Sequence, residues 1–422
     1  MRPALFFLFL LLPFSAFSFS NPRLNMLLDS GEYFQFRIEF RRIQMTDSLR
    51  PREDDLYYSA WEQHLFESPD SSNTCIGLLV NGNSGCSDSA KAVLLQLQLQ
   101  NDFRMFHYRN ADSICDLLLF RYPSVMDPKS IADVKNFGGI AKGLRDVPPQ
   151  TIERSADLDI AYKRDIANLI RVPVSVNGEE QKFIFDTGAN LSTICESEAK
   201  RMKLKMTDVS FGVASSSKAS VDSKLGIAET LVIGNAVFHN VVFIVMPDKQ
   251  LKFAGGLYKI KGIVGIPVIA QLGEVQIFKN GRLKSPLKQS ESQLFNLGMS
   301  GNTPFADISF YGTSHTYIFD TGAATTVLNA RFLTAYHDSL HDVKERTSKV
   351  GGAGGVETIK VMNCGQLPYS FGGKTAQLRR GMIQLSASSS VYDSFFGIAG
   401  EDIYTQWETM TINFNRHFVR FD

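Results

Sequence analysis

Two aspartates stand in matching settings, each at the end of a short apolar run. Residues 183–189 read Phe-Ile-Phe-Asp-Thr-Gly-Ala, and residues 317–323 read Tyr-Ile-Phe-Asp-Thr-Gly-Ala. A carboxylate at the end of a hydrophobic strand is costly to remove from water, so it is rarely retained for stability alone. Two of them, Asp186 and Asp320, indicate a catalyst built on paired carboxylates.

The duplication extends beyond these motifs. Gly265 follows Asp186 by 79 residues and Gly400 follows Asp320 by 80, each at the end of an apolar–apolar–glycine triplet. Each copy then reaches a similar apolar closing strand, at residues 275–277 and 410–412. The sequence therefore predicts an internal duplication of a whole lobe.

Each motif is predicted to lie on the second strand of a hairpin. In the first copy, alternating valines at residues 172–176 precede the turn Asn177-Gly178 and a returning strand that ends at Asp186. The second copy repeats this arrangement around Tyr311-Gly312. We expect one lobe over residues 160–285, a polar linker over 286–303 and a second lobe over 304–422.

Residues 21–155 are predicted to be mainly helical, because apolar residues recur at helical spacing: Tyr57, Trp61 and Leu65. Asp127-Pro128 is typical of a helix start, and Gly138-Gly139 of its end. Residues 95–99 alternate strictly, which leaves a strand open there. The region is predicted to be a domain of antiparallel helix pairs that binds a protein partner or recruits substrate, or else a propeptide removed near residues 140–165.

The N-terminus has the layout of a secretory signal peptide. Arg2 precedes an apolar run at residues 5–12 that is too short to span a bilayer, and small residues follow it. We expect residues 1–20 to be removed, with cleavage after Ser18 or Ser20, and the protein to be periplasmic or secreted. No later segment is long and apolar enough to predict a transmembrane helix.

Composition excludes several classes of function. Lys and Arg total 44 and Asp and Glu total 43 in 422 residues, so neither a nucleic acid nor a membrane surface is an expected partner. The patterns Gly-x-Ser-x-Gly, His-Glu-x-x-His and the phosphate-binding loop do not occur, so serine hydrolases, zinc proteases and nucleotidases are not indicated. His337 and His341 stand four apart on a predicted helix over residues 329–344 without a third ligand, so we expect no metal and no cofactor.

The cysteines give a weaker signal. There are five, an odd number that excludes complete intramolecular pairing. Cys75 and Cys86 are close enough in sequence to close a loop, which an exported protein permits, and the disulfide stays open. Cys195 and Cys364 lie in different lobes and are expected to be small buried side chains.

With the doubled Asp-Thr-Gly-Ala and the later glycine triplets, residues 160–422 resemble an aspartic protease. The alanine after the glycine and the small lobes resemble the retropepsin-like branch, whereas the duplication within one chain is similar to pepsin. The resemblance implies a mainly β fold of two β-barrel lobes related by a pseudo-twofold axis, to which this chain adds an N-terminal α-helical domain. A monomer would then suffice to form the site.

The resemblance also implies roles for the motif residues. Asp186 and Asp320 would meet across the axis and share one proton, because two carboxylates in contact cannot both ionise cheaply. The hydroxyls of Thr187 and Thr321 would bond to the opposite loop. The remaining support would come from the motif residues that allow tight turns and from the glycines beneath the loops: Gly188, Ala189, Gly322, Ala323, Gly265 and Gly400.

Alanine after the glycine has a consequence for acidity. A serine or threonine at Ala189 or Ala323 could donate a hydrogen bond to the outer carboxylate oxygens and favour ionisation, whereas alanine cannot. We therefore predict a dyad that is less acidic than that of pepsin, with activity toward mildly acidic or neutral pH.

One flap is expected in each copy, between the motif and its later glycine. The candidates are Gly212, Val213 and Ala214 with residues 215–220, and Gly351, Gly352 and Ala353 within a glycine-rich stretch. Glycine and serine at such tips let a backbone approach an extended peptide and hold it by strand addition. Pepsin-like enzymes carry a flap tyrosine, and none occurs in residues 205–225.

The sequence therefore predicts an exported aspartic endopeptidase that acts on polypeptides. The alternative is a peptide-binding protein on the same scaffold without turnover. Both aspartates, threonines and glycines are present, which favours the enzyme.

Overall fold

The computed structural model describes residues 19, 21–47, 50–82, 85–214, 220–352, 355–385 and 394–422. The chain divides into two compact units. The helical unit holds the described residues up to Pro149 together with Met299–Asn302, and the β unit holds Gln150–Gly298 and Thr303–Asp422. The predicted cleavage after Ser18 or Ser20 lies outside the described residues.

The helical unit contains seven described helices, and consecutive helices pack on one another from α3 to α7. Side chains at the N-caps of several helices accept backbone N–H groups, as Asp127 does from Lys129 and Ser130. The helices are α1 Pro22–Asp29, α2 Tyr33–Thr46, α3 Arg52–Phe66, α4 Pro69–Asn81, α5 Asp88–Arg104, α6 Tyr108–Arg121 and α7 Pro128–Leu144. No described helix is both long and apolar enough to cross a membrane.

Two local expectations for this unit were wrong or left open. Residues 95–99 are helical, within α5, whose apolar residues are buried on all sides and so obscure the helical period. Gly138-Gly139 does not end α7, which continues to Leu144. Gly138 instead packs closely on Cys115 of α6, where an added Cβ would lie 3.3 Å from the cysteine Cβ.

The first lobe is built on a closed ring of six strands. β9, β6, β12, β5, β4 and β8 pair in that order, and β8 then pairs with β9. All the described strands of residues 151–285, within and outside this ring, are β1 Thr151–Glu153, β2 Leu158–Ala161, β3 Lys163–Arg164, β4 Ile170–Val176, β5 Glu179–Phe185, β6 Ser192–Cys195, β7 Lys205–Ala214, β8 Ser220–Ile233, β9 Ala236–Met246, β10 Lys252–Phe253, β11 Tyr258–Lys259, β12 Gly262–Val264, β13 Glu274–Phe278 and β14 Arg282–Ser285, with helices α8 Glu196–Arg201 and α9 Ile266–Gln271.

The second lobe is an open, half-barrel version of the same plan. Its described strands pair in the order β19-β20-β23-β18-β24-β17-β16-β21-β22, with β15 on β16. The described strands of residues 297–422, including two that belong to the five-stranded sheet, are β15 Leu297–Ser300, β16 Thr303–Phe310, β17 Thr313–Phe319, β18 Val327–Leu328, β19 Lys344–Gly352, β20 Gly355–Cys364, β21 Leu367–Phe371, β22 Lys374–Leu378, β23 Gly381–Gln384, β24 Gly397–Ala399, β25 Thr409–Asn413 and β26 Phe418–Phe421, with helices α10 Ala330–Tyr336 and α11 Glu401–Tyr404.

A five-stranded sheet joins the two lobes. Its order is β2-β14-β13-β25-β26, so the closing strands of the two repeats, β13 and β25, are direct antiparallel neighbours. Val275 pairs with Ile412 and Ile277 with Met410. The duplicated segments recognised in the sequence thus meet along one line, where a local twofold relation between them is expected.

The predicted hairpins are present, as β4–β5 and β16–β17. Other boundaries differ from those expected. β1 begins at Thr151, before residue 160, because it pairs with β9, and β15 lies inside the expected linker. The helix expected over 329–344 is shorter, since α10 ends at Tyr336 and the chain enters β19 at Lys344.

The cysteine side chains are free thiols in the structure, Cys75 and Cys86 included, so the disulfide left open by the sequence is not formed. Cys195 and Cys364 are buried, as predicted.

Candidate active site

Two equivalent strand pairs deliver the aspartates. β5 ends at Phe185, directly before Asp186, and runs parallel to β12, while β17 ends directly before Asp320 and runs parallel to β24. The backbone N–H of each aspartate donates to the neighbouring strand, to Val264 O and Ala399 O respectively, at 3.1 Å in both cases. Each aspartate therefore lies at the end of a strand that pairs with a neighbouring strand on either side.

The two motif threonines cross between the lobes. Thr187 N donates to Thr321 Oγ1 and Thr321 N donates to Thr187 Oγ1, both at 3.0 Å. The hydroxyls themselves donate to backbone carbonyls of the opposite strands, Thr187 to Phe319 O at 2.9 Å and Thr321 to Phe185 O at 3.2 Å. All four bonds are buried, so they fix one loop against the other.

Each motif glycine lies against the carboxyl of the opposite motif. A Cβ added to Gly188 would lie 2.6 Å from Cγ of Asp320, and one added to Gly322 would overlap the carboxyl of Asp186. Only glycine permits this approach. The structure therefore brings Asp186 and Asp320 together, each beneath the backbone of the other lobe.

The carboxyl groups of Asp186 and Asp320 are both buried, and their surroundings favour the neutral, protonated form. Oδ1 of Asp186 accepts the N–H of Gly188 at 3.0 Å, and Oδ1 of Asp320 accepts that of Gly322 at 2.7 Å. Burial, and then the neighbouring charge of Asp320, raise the pKa of Asp186 well above its ordinary value. Burial also raises the pKa of Asp320, which the Gly322 N–H partly offsets. Burial and the neighbouring charge both favour the protonated form of a carboxyl in this pair.

The two carboxyl groups interact with each other through a side-chain hydrogen bond. Oδ2 of Asp186 is buried and accepts no hydrogen bond from an N–H or hydroxyl group of the described residues. A buried carboxylate oxygen beside a second carboxyl can accept a proton from a bound water.

The later glycines lie directly beneath the motif loops. An added Cβ would lie 2.6 Å from the carbonyl oxygen of Ala189 at Gly265, and 2.6 Å from that of Ala323 at Gly400. The next residue in each copy donates its N–H to the same alanine carbonyl at 2.8 Å. The two repeats therefore superimpose in contacts as well as in sequence.

Two hydroxyl residues that contact these glycines were not predicted from the sequence. Gly265 N donates to Ser192 Oγ and Gly400 N donates to Thr326 Oγ1, both at 3.1 Å. Each hydroxyl residue stands six positions after its motif aspartate, a signal that comparison of the two copies could have found.

Two further neighbours of Asp320 were also missed. Tyr404 lies on α11, and its hydroxyl accepts the N–H of Asp320 at 3.2 Å and donates to Ala399 O. Glu401 on the same helix is fully buried and pairs with Arg164 at 2.7 Å. A separation of 237 residues gave no sequence signal for this pair.

The candidate flap residues lie at the ends of hairpins. Gly212, Val213 and Ala214 end β7, where Ala214 pairs with Ser220. Gly351 and Gly352 end β19, where Gly352 pairs with Gly355. Residues 215–219 and Ala353 lie outside the described residues, so the action of both tips on a substrate stays a prediction.

His337 and His341 both lie after the end of α10, so they do not stand one turn apart on the predicted helix. His337 lies on a 3-10 turn after α10 and contacts Asp338 at 3.1 Å, with both side chains exposed. In the described part of the chain, no group of three His, Cys, Asp or Glu residues is placed to hold a metal ion.

Comparisons with known proteins give a family match within the first lobe. The model of the family described as "Aspartyl protease" matches residues 172–268, which include the first motif and Gly265. No curated protein matches the sequence. Among solved structures, the chain is similar to a retropepsin-like aspartic protease from Rickettsia conorii, at 19% identity over 32% of this chain and 90% of that chain, with a TM-score of 0.21. The family match thus falls on the first lobe, and the second lobe repeats its motif and strand pairing.

Proposed function

We propose that this chain is an aspartic endopeptidase whose single site uses one aspartate from each lobe. The observation that carries the proposal is the reciprocal exchange between Thr187 and Thr321, which holds the two Asp-Thr-Gly loops face to face. The first-lobe match to an aspartyl protease family supports it.

The chemistry follows from two buried carboxyls that hold one proton. The ionised member removes a proton from a bound water while the protonated member donates to the carbonyl oxygen of the scissile peptide bond. Attack of the water oxygen gives a tetrahedral diol, and no covalent intermediate with the enzyme forms. Collapse of the diol expels the amine, which takes up a proton, and the pair returns to its starting state.

The substrate is proposed to be an extended polypeptide held by the hairpin ends of β7–β8 and β19–β20. Glycine-rich strand ends leave backbone N–H and C=O groups open to pairing with a substrate strand. We also propose export of the protein, for which the N-terminal residues give the only support.

The helical unit is proposed either to recruit substrate or a partner or to act as a propeptide. Its buried core, with Tyr57, Trp61 and Leu65 among the residues inside, is that of a folded domain. The mass of the mature protein separates the two roles, since a propeptide would be missing from it.

Cleavage of a peptide library by the wild type and by Asp186→Asn, each across a range of pH, tests the function. We expect the wild type to cleave and the variant not to, while Asp338→Asn at an exposed position cleaves normally. Binding of a statine-type inhibitor without any cleavage by the wild type would instead support the peptide-binding protein.

A further inference from the structure

The two repeats differ in one buried residue beneath the site. Ile266 and Glu401 each follow the deep glycine, each donate their N–H to the carbonyl of a motif alanine, and each are fully buried. The first lobe thus places an isoleucine where the second places an acid. Because a buried carboxylate is costly and the isoleucine shows that the position can be apolar, the acid calls for a function.

Among the described residues, Glu401 forms an ion pair with Arg164. Its Oε2 accepts from Nη1 of Arg164 at 2.7 Å, and that same nitrogen also donates to Asn168 O at 2.7 Å. Arg164 lies on β3 of the first lobe and Glu401 on α11 of the second, so the pair joins the lobes. Oε1 of Glu401 has no hydrogen-bond partner among the described residues.

The ionisable groups around Glu401 connect it to the catalytic pair. Asp320 and Asp402 oppose its ionisation and Arg164 favours it. The negative charge of Glu401 also contributes to raising the pKa of Tyr162 and of Tyr404, which burial raises most. Asp402 is already engaged, since its Oδ1 accepts from the N–H and the hydroxyl of Thr326.

Together, these interactions bring the ionisation of the Glu401 carboxyl close to neutral pH. Burial raises the pKa of Glu401 to about 7, against the opposing influence of Arg164. Below that pH the side chain is mainly neutral, and above it the side chain carries a negative charge that interacts unfavourably with the charge of Asp320.

We propose that Glu401 and Arg164 form a positioning pair that keeps the shared proton on the catalytic aspartates as the pH rises above neutral. This inference rests on the proposed function. A charge on Glu401 makes the loss of the last proton from the aspartate pair less favourable, so the active monoprotonated state persists to higher pH. Arg164 acts through Glu401, because it allows that side chain to ionise inside the protein.

The pair makes a specific prediction for the pH dependence of kcat/KM. In Glu401→Gln the alkaline limb moves to lower pH by about one unit, whereas the acid limb stays in place because Glu401 is neutral there. Arg164→Gln moves the same limb in the same direction, and the double variant moves it no further. Arg164→Lys keeps a cation and the wild-type limb.

Controls separate this role from a merely structural one. Glu401→Ile supplies the residue of the first lobe and should give the same shift if Glu401→Gln fails to fold. Arg282→Gln breaks an exposed ion pair with Asp159 in the shared sheet and should leave both limbs unchanged. A loss of activity without movement of the alkaline limb would mean that the pair only holds the lobes together.

A titration that needs no turnover keeps the inference distinct from the proposed function. With the aspartate side chains labelled by carbon-13, the resonances of Asp186 and Asp320 are assigned through their asparagine variants and followed against pH. We expect the upper midpoint of the pair to fall by about one unit in Glu401→Gln. Equal midpoints in wild type and variant would overturn the inference even if the wild type cleaves peptides, and the shift would support it even if it does not.

Discussion

Thr187 and Thr321 each accept the backbone N–H of the other through the side-chain hydroxyl, at the same distance of 3.0 Å. The exchange spans 134 residues and joins two copies of one sequence motif. Because each hydroxyl also donates to a carbonyl of the opposite strand, neither threonine can be replaced without leaving a buried group unpaired.

The first prediction concerns this exchange. Thr187→Val removes a buried donor and a buried acceptor at once, so we expect the free energy of unfolding of the β unit to fall by about 2 kcal/mol or more. Chemical unfolding measures it. Thr193→Val is the matched control, since that hydroxyl is buried without a partner among the described residues and its loss should cost little. Equal losses in the two variants would contradict the account.

The close packing of Gly188 on the carboxyl of Asp320 gives a second prediction. Gly188→Ala places a methyl group against the carboxyl of Asp320, so we expect peptide cleavage to be lost. Gly139→Ala is a control in α7, where an added Cβ meets nothing within 4 Å and should stabilise the helix by about 0.5 to 1 kcal/mol. A fully active Gly188→Ala would show that the carboxyls do not need this spacing.

The motif alanines predict the acidity of the site. Ala323→Ser adds a hydroxyl that can donate to the carboxylate of Asp320 and stabilise its charged form, so the acid limb of kcat/KM should move to lower pH. Ala330→Ser, at an exposed position of α10, should leave the limb unchanged. The wild type should work at mildly acidic or neutral pH, because burial raises both pKa values. A wild-type optimum near pH ~2, as the acidic pepsin dyad permits, would contradict this.

A buried acid in the helical unit predicts a pH-dependent stability. Burial raises the pKa of Asp102 to about 6, and Oδ2 of this residue has no hydrogen-bond partner among the described residues. A raised acid pKa contributes stability at low pH that is lost as pH rises through the folded-state value. The effect of Asp102→Asn on the free energy of unfolding should therefore become more favourable by about 2 kcal/mol between pH ~4 and pH ~8. The exposed Asp116→Asn should show no such trend, and a parallel trend in both would refute the assignment.

Much of the candidate site could be predicted from the sequence because its motif occurs twice. The motifs at Asp186 and Asp320 and the glycines at Gly265 and Gly400 stand at matched offsets, and turn chemistry at Asn177-Gly178 located a hairpin. Such signals are local, so they can be read without knowledge of the folded chain.

Other features depend on contacts between distant segments. Gly138-Gly139 is a helix-ending signal, yet α7 continues because Gly138 packs on Cys115. The pairing of Glu401 with Arg164 follows only from the assembled lobes. Thr151 enters a strand because β9 is beside it, which composition could not show.

The most direct test of the paired-acid site is the cleavage of one library-derived peptide by Asp186→Asn, Asp320→Asn and the double variant. Because the two carboxyls act as a unit, we predict that each single variant falls to the same residual rate and that the double variant falls no further. Proteolysis that survives the loss of either carboxylate, or a double variant whose loss is the product of the two single losses, would contradict it.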